Sequence, residues 1–306
     1  MTSQPARQTF DRPLWGIACK LAATVLFAVM FAAIRWLGTS FPVGEIVFFR
    51  SALGAGVVVT AALLAGGPAL LMTSHFGSHA LRSSAGTISM FCNFAAYTLL
   101  PLANATAIGF AAPLFVVILA ALTLGERVHI YRWSAVVIGF AGVVVIAGPE
   151  AGLSHSALYG ALFALAGAGL QGMAMVLIRR MSAHEHSITI AFYFMLTSAA
   201  VSVLTAGFGW RWPVWPEAAV LLITGLSGGI GQIFLSFSYR YSEASVLAPF
   251  DYAAMIWAVV LGYFIFTEVP AAQVWIGSAV VIASGLLILW RERQLGKQRE
   301  LTSATV

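Results

Sequence analysis

Charged side chains are scarce in this chain. Asp, Glu, Lys and Arg make up 9% of its 306 residues, and 60% of the residues are hydrophobic. An ordinary soluble domain carries about 25% charged residues. So few polar groups cannot cover the surface of a water-soluble globule. The composition therefore excludes a soluble domain and is typical of an integral membrane protein.

Cysteines and acidic residues are also rare. Both cysteines, Cys19 and Cys92, lie in apolar stretches, where a small buried hydrophobe is the expected role rather than a disulfide or a metal ligand. The 11 acidic residues are scattered, mostly near the ends of apolar runs. A membrane-embedded enzyme needs clustered catalytic groups, so we expect no catalytic residue, no metal and no cofactor.

Long apolar runs, in contrast, follow one another along the whole chain. A helix needs about 20 apolar residues to cross a bilayer core of about 30 Å. Windows of this length predict an all-α integral membrane protein with ten transmembrane helices and no soluble domain. The predicted spans are Leu14–Leu37, Val43–Ala65, Ser83–Pro101, Ala103–Leu124, Tyr131–Gly148, Ala157–Ile178, Ser187–Gly207, Glu217–Phe237, Ala244–Phe266 and Ala271–Trp290.

The positive charges orient these spans. With the N-terminus inside, only Arg35 and Arg211 fall on the outer side, and the bias predicts cytoplasmic N- and C-termini. Orientation also explains the basic isoelectric point, so we expect no nucleic-acid partner. The residues assigned to the inner side are Arg7, Arg12, Lys20, Arg82, Arg127, Arg132, Arg179, Arg180, Arg240, Arg291, Arg293, Lys297 and Arg299.

An internal repeat divides the chain. Residues 103–106 (ANAT) echo residues 242–245 (SEAS), and the apolar runs that follow end in LGE and FTE, with a tryptophan seven residues after each Glu. Each half holds five predicted helices. Five is odd, so the halves must insert with opposite orientation, as in the inverted repeats of secondary transporters. The predicted domains are a tail at 1–13, repeats at 14–148 and 157–290, and a tail at 291–306.

Two charges lie deep within predicted helices. Arg50, in the stretch GEIVFFR (44–50), is about 10 Å from the outer end of its helix, and Asp251 is similarly deep from the inner side. Such charges are costly unless they face a cavity or a partner. The second repeat has Met195 at the position that matches Arg50, so the shared fold does not require this arginine.

We therefore expect Arg50 to contact a polar or anionic group of a substrate, with a structural ion pair or snorkelling to the surface as alternatives. Arg50 and Asp251 are predicted to face one central cavity. They would pair in one state of the protein and release Arg50 to substrate in another.

Uncharged polar and aromatic residues inside the helices are further candidate substrate contacts. Asn93 and Tyr97 lie four residues apart and share a helix face. Any one such residue is typical of helix packing, but together they would suit a flat heteroaromatic substrate. The candidates are Asn93, Tyr97, Gln171, Tyr193, Gln232, Tyr252 and Trp257.

Three glutamates are predicted to have other roles. Glu45 is expected at the outer interface, on a different helix face from Arg50. Glu126 and Glu268 close their helices. We expect each of them to cap neighbouring backbone or to pair with a basic residue, with proton coupling as the alternative.

The stretches at 44–50, 107–126, 238–252 (SYRYSEASVLAPFDY) and 261–268 (LGYFIFTE) resemble the EamA family of the drug/metabolite transporter superfamily, and the resemblance covers the chain from about Leu14 to Trp290. It implies a ten-helix carrier in the bacterial inner membrane, with a small-molecule substrate, the lipid bilayer as its environment and room for a homodimer. The two repeats differ in the position of a proline. Pro113 lies thirteen residues before Glu126, whereas Pro249 lies nineteen residues before Glu268. The ninth helix should therefore break nearer its inner end.

The substrate prediction also rests on resemblance. Residues 10–21, 44–51 and 248–263 are similar to the riboflavin-importing branch of this family. Aromatic residues could stack on the flavin ring, at about 0.5–1.5 kcal/mol for each aromatic pair. The alternative is uptake or export of an amino acid or related metabolite, whose carboxylate Arg50 would clamp. A channel is the rival class, but an inverted repeat favours alternating access.

The charge bias makes the first testable prediction. A green fluorescent protein fused after Val306 should fluoresce, whereas alkaline phosphatase fused there should be inactive, because the C-terminus is expected in the cytoplasm. An active phosphatase fusion would mean that the ten predicted spans include one too many or one too few.

Overall fold

The computed structural model is helical in every segment that it describes, and these segments contain no β-strand. They are residues 13–38, 41–124, 130–147, 155–181, 185–242 and 244–304. Short 3₁₀ segments occur at Pro68–Leu71 and Ala248–Tyr252. The helices are α1 Pro13–Leu37, α2 Val43–Ala65, α3 Phe76–Leu99, α4 Leu102–Gly109, α5 Ala112–Leu124, α6 Ile130–Ala147, α7 His155–Met181, α8 Ser187–Val203, α9 Trp215–Tyr241, α10 Ala244–Leu247, α11 Ala253–Phe266 and α12 Ala272–Ala304.

The helices have the length and composition of a membrane protein. Among the described residues, 7 helical stretches are long and apolar enough to cross a bilayer, and two shorter apolar helices lie at Trp133–Ala147 and Ser187–Val203. Each span predicted from the sequence coincides with one helix or with a pair of short helices. The 7 stretches are Leu14–Leu37, Val43–Ala65, Leu102–Leu119, His155–Ile178, Trp215–Ser238, Pro249–Phe266 and Ala272–Trp290.

Helix α3 is not among these 7 stretches, because it carries several polar residues. Some of these polar residues face other helices. Thr87 Oγ1 lies 2.8 Å from Ser198 Oγ on α8. The Ser89 hydroxyl donates to the Gly167 carbonyl oxygen on α7, also at 2.8 Å. A buried hydroxyl without a partner would be costly, so these bonds allow a polar helix to lie in the interior of the bundle.

The two halves of the chain interlock. Helix α1 packs along α9, and α3 packs along α7. Helix α2 contacts both α8 and α9, α6 lies against α12, and α11 contacts α1 and α4. Each of these contacts joins the first half of the chain to the second, so neither half forms a separate lobe.

Two spans are broken, and proline explains both breaks. Proline has no N–H, and its ring clashes with the carbonyl group four residues earlier. Pro113 accordingly follows the end of α4 at Gly109, and α5 begins at Ala112. Pro249 lies in the 3₁₀ segment that separates α10 from α11. The second break comes after a four-residue helix and the first after eight residues, so the ninth predicted span breaks closer to its N-terminal end.

Glu268 links three elements where α11 ends. Its Oε1 accepts hydrogen bonds from Arg35 Nη2 at 2.8 Å and Nε at 3.1 Å. Its Oε2 accepts from the Leu102 backbone N–H at the start of α4, at 2.9 Å. Thr267, with a φ of 55°, turns the chain toward these partners. Glu268 thus both pairs with a basic residue and caps a helix.

The other two glutamates of interest are Glu45 and Glu126. Glu45 is buried at the start of α2, where its Oε2 accepts a hydrogen bond from the Arg211 backbone N–H at 3.2 Å. Arg211 itself pairs with Glu217. Glu126 lies outside the described residues.

Helices α6 and α12 approach each other through glycines. A Cβ atom on Gly142 would lie 2.9 Å from the Gly277 carbonyl oxygen, and one on Gly277 would lie 2.6 Å from the Gly142 carbonyl oxygen. Lipid tails are as apolar as leucine, so helix association in a membrane depends on such close packing.

The glycine contact makes the second prediction. Gly142→Ala should lower the midpoint of thermal unfolding in detergent, since the new methyl group would meet backbone that cannot rotate away. Gly56→Ala is the matched control, because a Cβ there would have no neighbour within 4 Å, and alanine favours a helix by roughly 0.5–1 kcal/mol. Equal midpoints for the two variants would contradict the close approach of α6 and α12.

Candidate functional site

Arg50 lies buried among α2, α8 and α9, with 4% of its surface exposed. Its Nη1 donates to the Met195 Sδ atom at 2.9 Å, and a thioether sulfur is only a weak acceptor. Its guanidinium carbon lies 5.6 Å from the centre of the Phe194 ring. Its buried Nε has no hydrogen-bond partner. Arg50 is therefore held mainly by packing.

Arg82, on α3, lies against the same ring. Its guanidinium carbon is 4.2 Å from the centre of the Phe194 ring, and 6% of its surface is exposed. Its Nε and Nη1 are buried without a hydrogen-bond partner. Arg82 was predicted on the inner side of the membrane, and its side chain is buried near the start of α3. A cation–π contact helps this charge to lie among the helices, because the aromatic ring takes the place of part of the water shell.

The Phe194 ring thus lies near two guanidinium groups, one from α2 and one from α3. Within the described part of the chain, neither Arg50 nor Arg82 pairs with a carboxylate. The desolvation penalty of a buried ion is several kcal/mol, and a cation–π contact offsets about 0.5–2 kcal/mol of it. The residues that the structure describes therefore do not balance the positive charge at this place.

Asp251 has a different partner from the predicted one. Its Oδ1 lies 2.6 Å from the Lys20 Nζ on α1, and the exposed fractions of the side chains are 51% for Asp251 and 2% for Lys20. The predicted pair of Arg50 and Asp251 is not formed in this structure. Lys20 was predicted on the inner side of the membrane, and its side chain is buried seven residues into α1, or roughly 10 Å from the start of that helix. The depth argument used for Arg50 would also have identified Lys20 as a buried charge.

The breaks in the two broken spans meet each other. The ring centres of Phe110, between α4 and α5, and of Tyr252, in the 3₁₀ segment, lie 5.1 Å apart in an edge-to-face contact. Trp257, on α11, donates from its Nε1 to the Thr24 Oγ1 on α1 at 3.3 Å. Tyr252 and Trp257 therefore lie near the pair formed by Lys20 and Asp251.

Tyr97 and Asn93 have partners within the protein. The Tyr97 ring stacks on Phe31 with ring centres 4.2 Å apart, and its hydroxyl oxygen lies 3.3 Å from the Thr106 Oγ1. Asn93 Nδ2 donates to the Ser89 Oγ at 3.1 Å. A Cβ on Gly167 would lie 2.6 Å from the Asn93 Oδ1. Gly167 on α7 therefore makes room for Asn93 on α3.

The remaining candidates are not brought into one cluster with these. Tyr193, on α8, packs against His79 on α3, with ring centres 4.7 Å apart. Gln171 on α7 and Gln232 on α9 are half-buried. The structure thus divides the predicted site residues among several contacts.

A polar cluster joins the segment before α3 to the segment before α8. Glu185 accepts from the Thr73 hydroxyl at 2.6 Å and lies 3.0 Å from His75 Nδ1 and 3.3 Å from His79 Nε2. The hydrogen bond from Thr73 is the main reason that the pKa of Glu185 falls below its usual value. His75 and His79 thus both meet one carboxylate.

Comparison with known proteins adds independent information. The EamA-like transporter family matches residues 14–148 and again residues 158–290. An S-adenosylmethionine uptake transporter of Rickettsia conorii is 30% identical over 92% of this chain and 94% of its own length. The pseudopaline exporter CntI of Pseudomonas aeruginosa is 30% identical over 90% and 93%. A riboflavin transporter of Vibrio cholerae is 27% identical over 94% and 98%.

A solved crystal structure shares the fold. It superimposes with a TM-score of 0.65 at 22% identity and covers 92% of this chain and 98% of its own. The family matches span both halves of the chain, and the named relatives are membrane transporters that match it almost from end to end. The family predicted from the sequence is confirmed: this chain belongs to the EamA-like transporter family, within the drug/metabolite transporter superfamily.

Proposed function

We propose that this protein is an alternating-access carrier, in which ten spans form two inverted repeats and a small organic metabolite binds between them. In this arrangement α1, α2, α3 and α6 correspond to α7, α8, α9 and α12. The broken span α4–α5 corresponds to the broken span α10–α11. Inverted repeats supply two similar conformations, open to opposite sides of the membrane, from one sequence.

The pattern of helix contacts supports this correspondence. Exchanging the halves turns the contact of α1 with α9 into that of α7 with α3, and the contact of α2 with α9 into that of α8 with α3. It also turns the contact of α5 with α7 into that of α11 with α1. All six contacts are present, and so are those that the exchange leaves unchanged, α2 with α8 and α6 with α12.

The observation that carries the proposal is the contact of Arg50 with Met195. These residues occupy matching positions in the two repeats, in FFR (48–50) and YFM (193–195). Matching residues of two related elements can touch each other only near the axis that relates them. Arg50 would therefore lie close to the centre about which the two repeats alternate.

The two broken spans support a substrate-binding region between the repeats. In transporters with inverted repeats, discontinuous helices at corresponding positions of the two halves form the substrate site. The breaks here contact each other through Phe110 and Tyr252. The pair formed by Lys20 and Asp251 lies in the same region, with Asp251 half exposed, so charged and aromatic groups line these breaks.

Riboflavin and amino-acid-type metabolites are the two substrate candidates. Riboflavin has the support of the sequence resemblance and of relatives named riboflavin transporters. The aromatic residues expected to stack on a flavin, Tyr97, Tyr252 and Trp257, already have partners in the protein. A neutral flavin would also leave Arg50 without a counter-charge. The geometry therefore favours a metabolite that carries an amino-acid group, such as S-adenosylmethionine, the substrate named for a relative.

Counterflow tests the carrier directly. Proteoliposomes with the purified protein should take up labelled S-adenosylmethionine, with riboflavin assayed in parallel. Uptake should saturate and should accelerate when the vesicles are loaded with the same unlabelled compound, because a carrier must return its site. Uptake that does not saturate would indicate a channel. Rescue of a riboflavin auxotroph, with no uptake of S-adenosylmethionine, would reverse the substrate assignment.

Arg50 provides a mutational test of the proposed centre. Arg50→Met places at this position the residue that the second repeat already has there, so folding should be retained. Initial uptake should fall by about tenfold or more, since a hydrogen bond to a charged group contributes about 1.5–3 kcal/mol. Arg50→Ala should reduce initial uptake in the same way, with expression largely intact. Normal uptake by either variant would exclude an essential role for Arg50 in transport.

A further inference from the structure

We infer that Arg50, Arg82 and Phe194 form a binding site for the carboxylate group of the transported molecule. The inference rests on the proposed carrier function and adds a second arginine, a central ring and a chemical class of substrate to it. It follows from a pair of buried positive charges that the described part of the protein leaves without a counter-ion.

The geometry suits a small anion. Three nitrogen atoms of the pair are buried without hydrogen-bond partners: Arg50 Nε, Arg82 Nε and Arg82 Nη1. Both guanidinium groups lie beside one ring, at 5.6 and 4.2 Å from its centre. A guanidinium group matches the two oxygens of a carboxylate with parallel hydrogen bonds. An anion at the ring edge could accept from both arginines.

The charge balance selects the substrate class. Two nearby positive charges repel a cationic group, so the sulfonium and ammonium groups of S-adenosylmethionine would lie away from the two arginines and its carboxylate toward them. A neutral carbonyl oxygen could accept the hydrogen bonds but would leave the charge uncompensated. A carboxylate accepts the hydrogen bonds and also compensates the charge. It replaces the mutual repulsion of the two arginines with two attractions.

Among the described residues, the other elements around the arginines supply no competing carboxylate. Helix α8 contributes Met195 and Phe194, and α9 contributes Gly228, where a Cβ would lie 3.2 Å from the Arg50 Nε. Helix α3 contributes Gly86, where a Cβ would lie 2.9 Å from the Phe194 Cε2 and 3.5 Å from the Arg82 Nη1. These glycines let the backbones of α9 and α3 come close to the arginines, and Gly86 leaves space for the Phe194 ring.

Residues that bind a ligand are often unfavourable for the stability of the empty protein. Removing one of two unpaired buried charges should therefore stabilise the ligand-free protein. A purely structural arginine would behave in the opposite way, because its loss would leave packing or a partner unsatisfied. The direction of the stability change thus separates the two roles.

The test measures thermal unfolding of the purified full-length protein in detergent, with pairs of compounds that differ only by a carboxylate. Suitable pairs are S-adenosylmethionine with its decarboxylated analogue, and phenylalanine with phenethylamine. The carboxylate member of at least one pair should raise the unfolding midpoint by about 2 °C or more at saturating concentration, and the decarboxylated member should not. Inorganic phosphate serves as a further probe.

Arg50→Gln and Arg82→Gln should each raise the midpoint of the ligand-free protein and remove the response to the carboxylate. Gly86→Ala, which keeps both charges but displaces the ring, should weaken the response. Arg211→Gln removes an exposed guanidinium from the segment between α8 and α9 and should leave the response unchanged.

Several results would overturn the site. They are equal stabilisation by both members of every pair, no stabilisation by any carboxylate, a response to phosphate alone, or a response that survives both glutamine substitutions. A different result would contradict the carrier proposal. Saturable counterflow of a neutral compound, without a carboxylate response, would retain the carrier and exclude this site. A carboxylate response without counterflow would retain the site and exclude the carrier.

Discussion

A charge inside a bilayer must be compensated either by the protein or by what the protein binds, because the hydrocarbon around it offers neither water nor counter-ions. The described charges of this chain follow that constraint in different ways. Arg35 is compensated by Glu268, and Lys20 has Asp251 beside it. Arg50 and Arg82 have only an aromatic ring and a thioether. The uncompensated pair lies beside the contact of α2 with α8, where the two halves of the bundle meet.

Close packing and broken helices together explain how such a bundle can hold polar groups. Glycines bring α6 and α12 to backbone contact, and hydroxyl groups on α3 bond to α7 and α8. Pro113 and Pro249 interrupt two spans, and the breaks face each other. Irregular backbone at membrane depth is tolerated only where protein or a cavity covers it, so the interruptions and the polar residues must share the interior.

The relatives show that this fold serves several substrates. Transporters named for S-adenosylmethionine, pseudopaline and riboflavin match the chain at similar identity and coverage. A fold with this range cannot by itself specify a substrate, so a few side chains must do so. In the proposed arrangement, the difference between Arg50 and the matching residue Met195 would be of that kind, because the two proposed repeats would share the helix but not the charge.

The sequence by itself determined the membrane class, the helix positions, the family and the helix breaks. Apolar run length and proline chemistry act within a few residues of the chain, so they can be read without a structure. It also showed that Arg50 is exceptional. Only the tertiary structure decided the partners: Lys20 for Asp251, Phe194 for both Arg50 and Arg82, and Phe31 for Tyr97. Membrane helices are apolar on nearly every side, so their hydrophobic pattern does not record which face meets which neighbour.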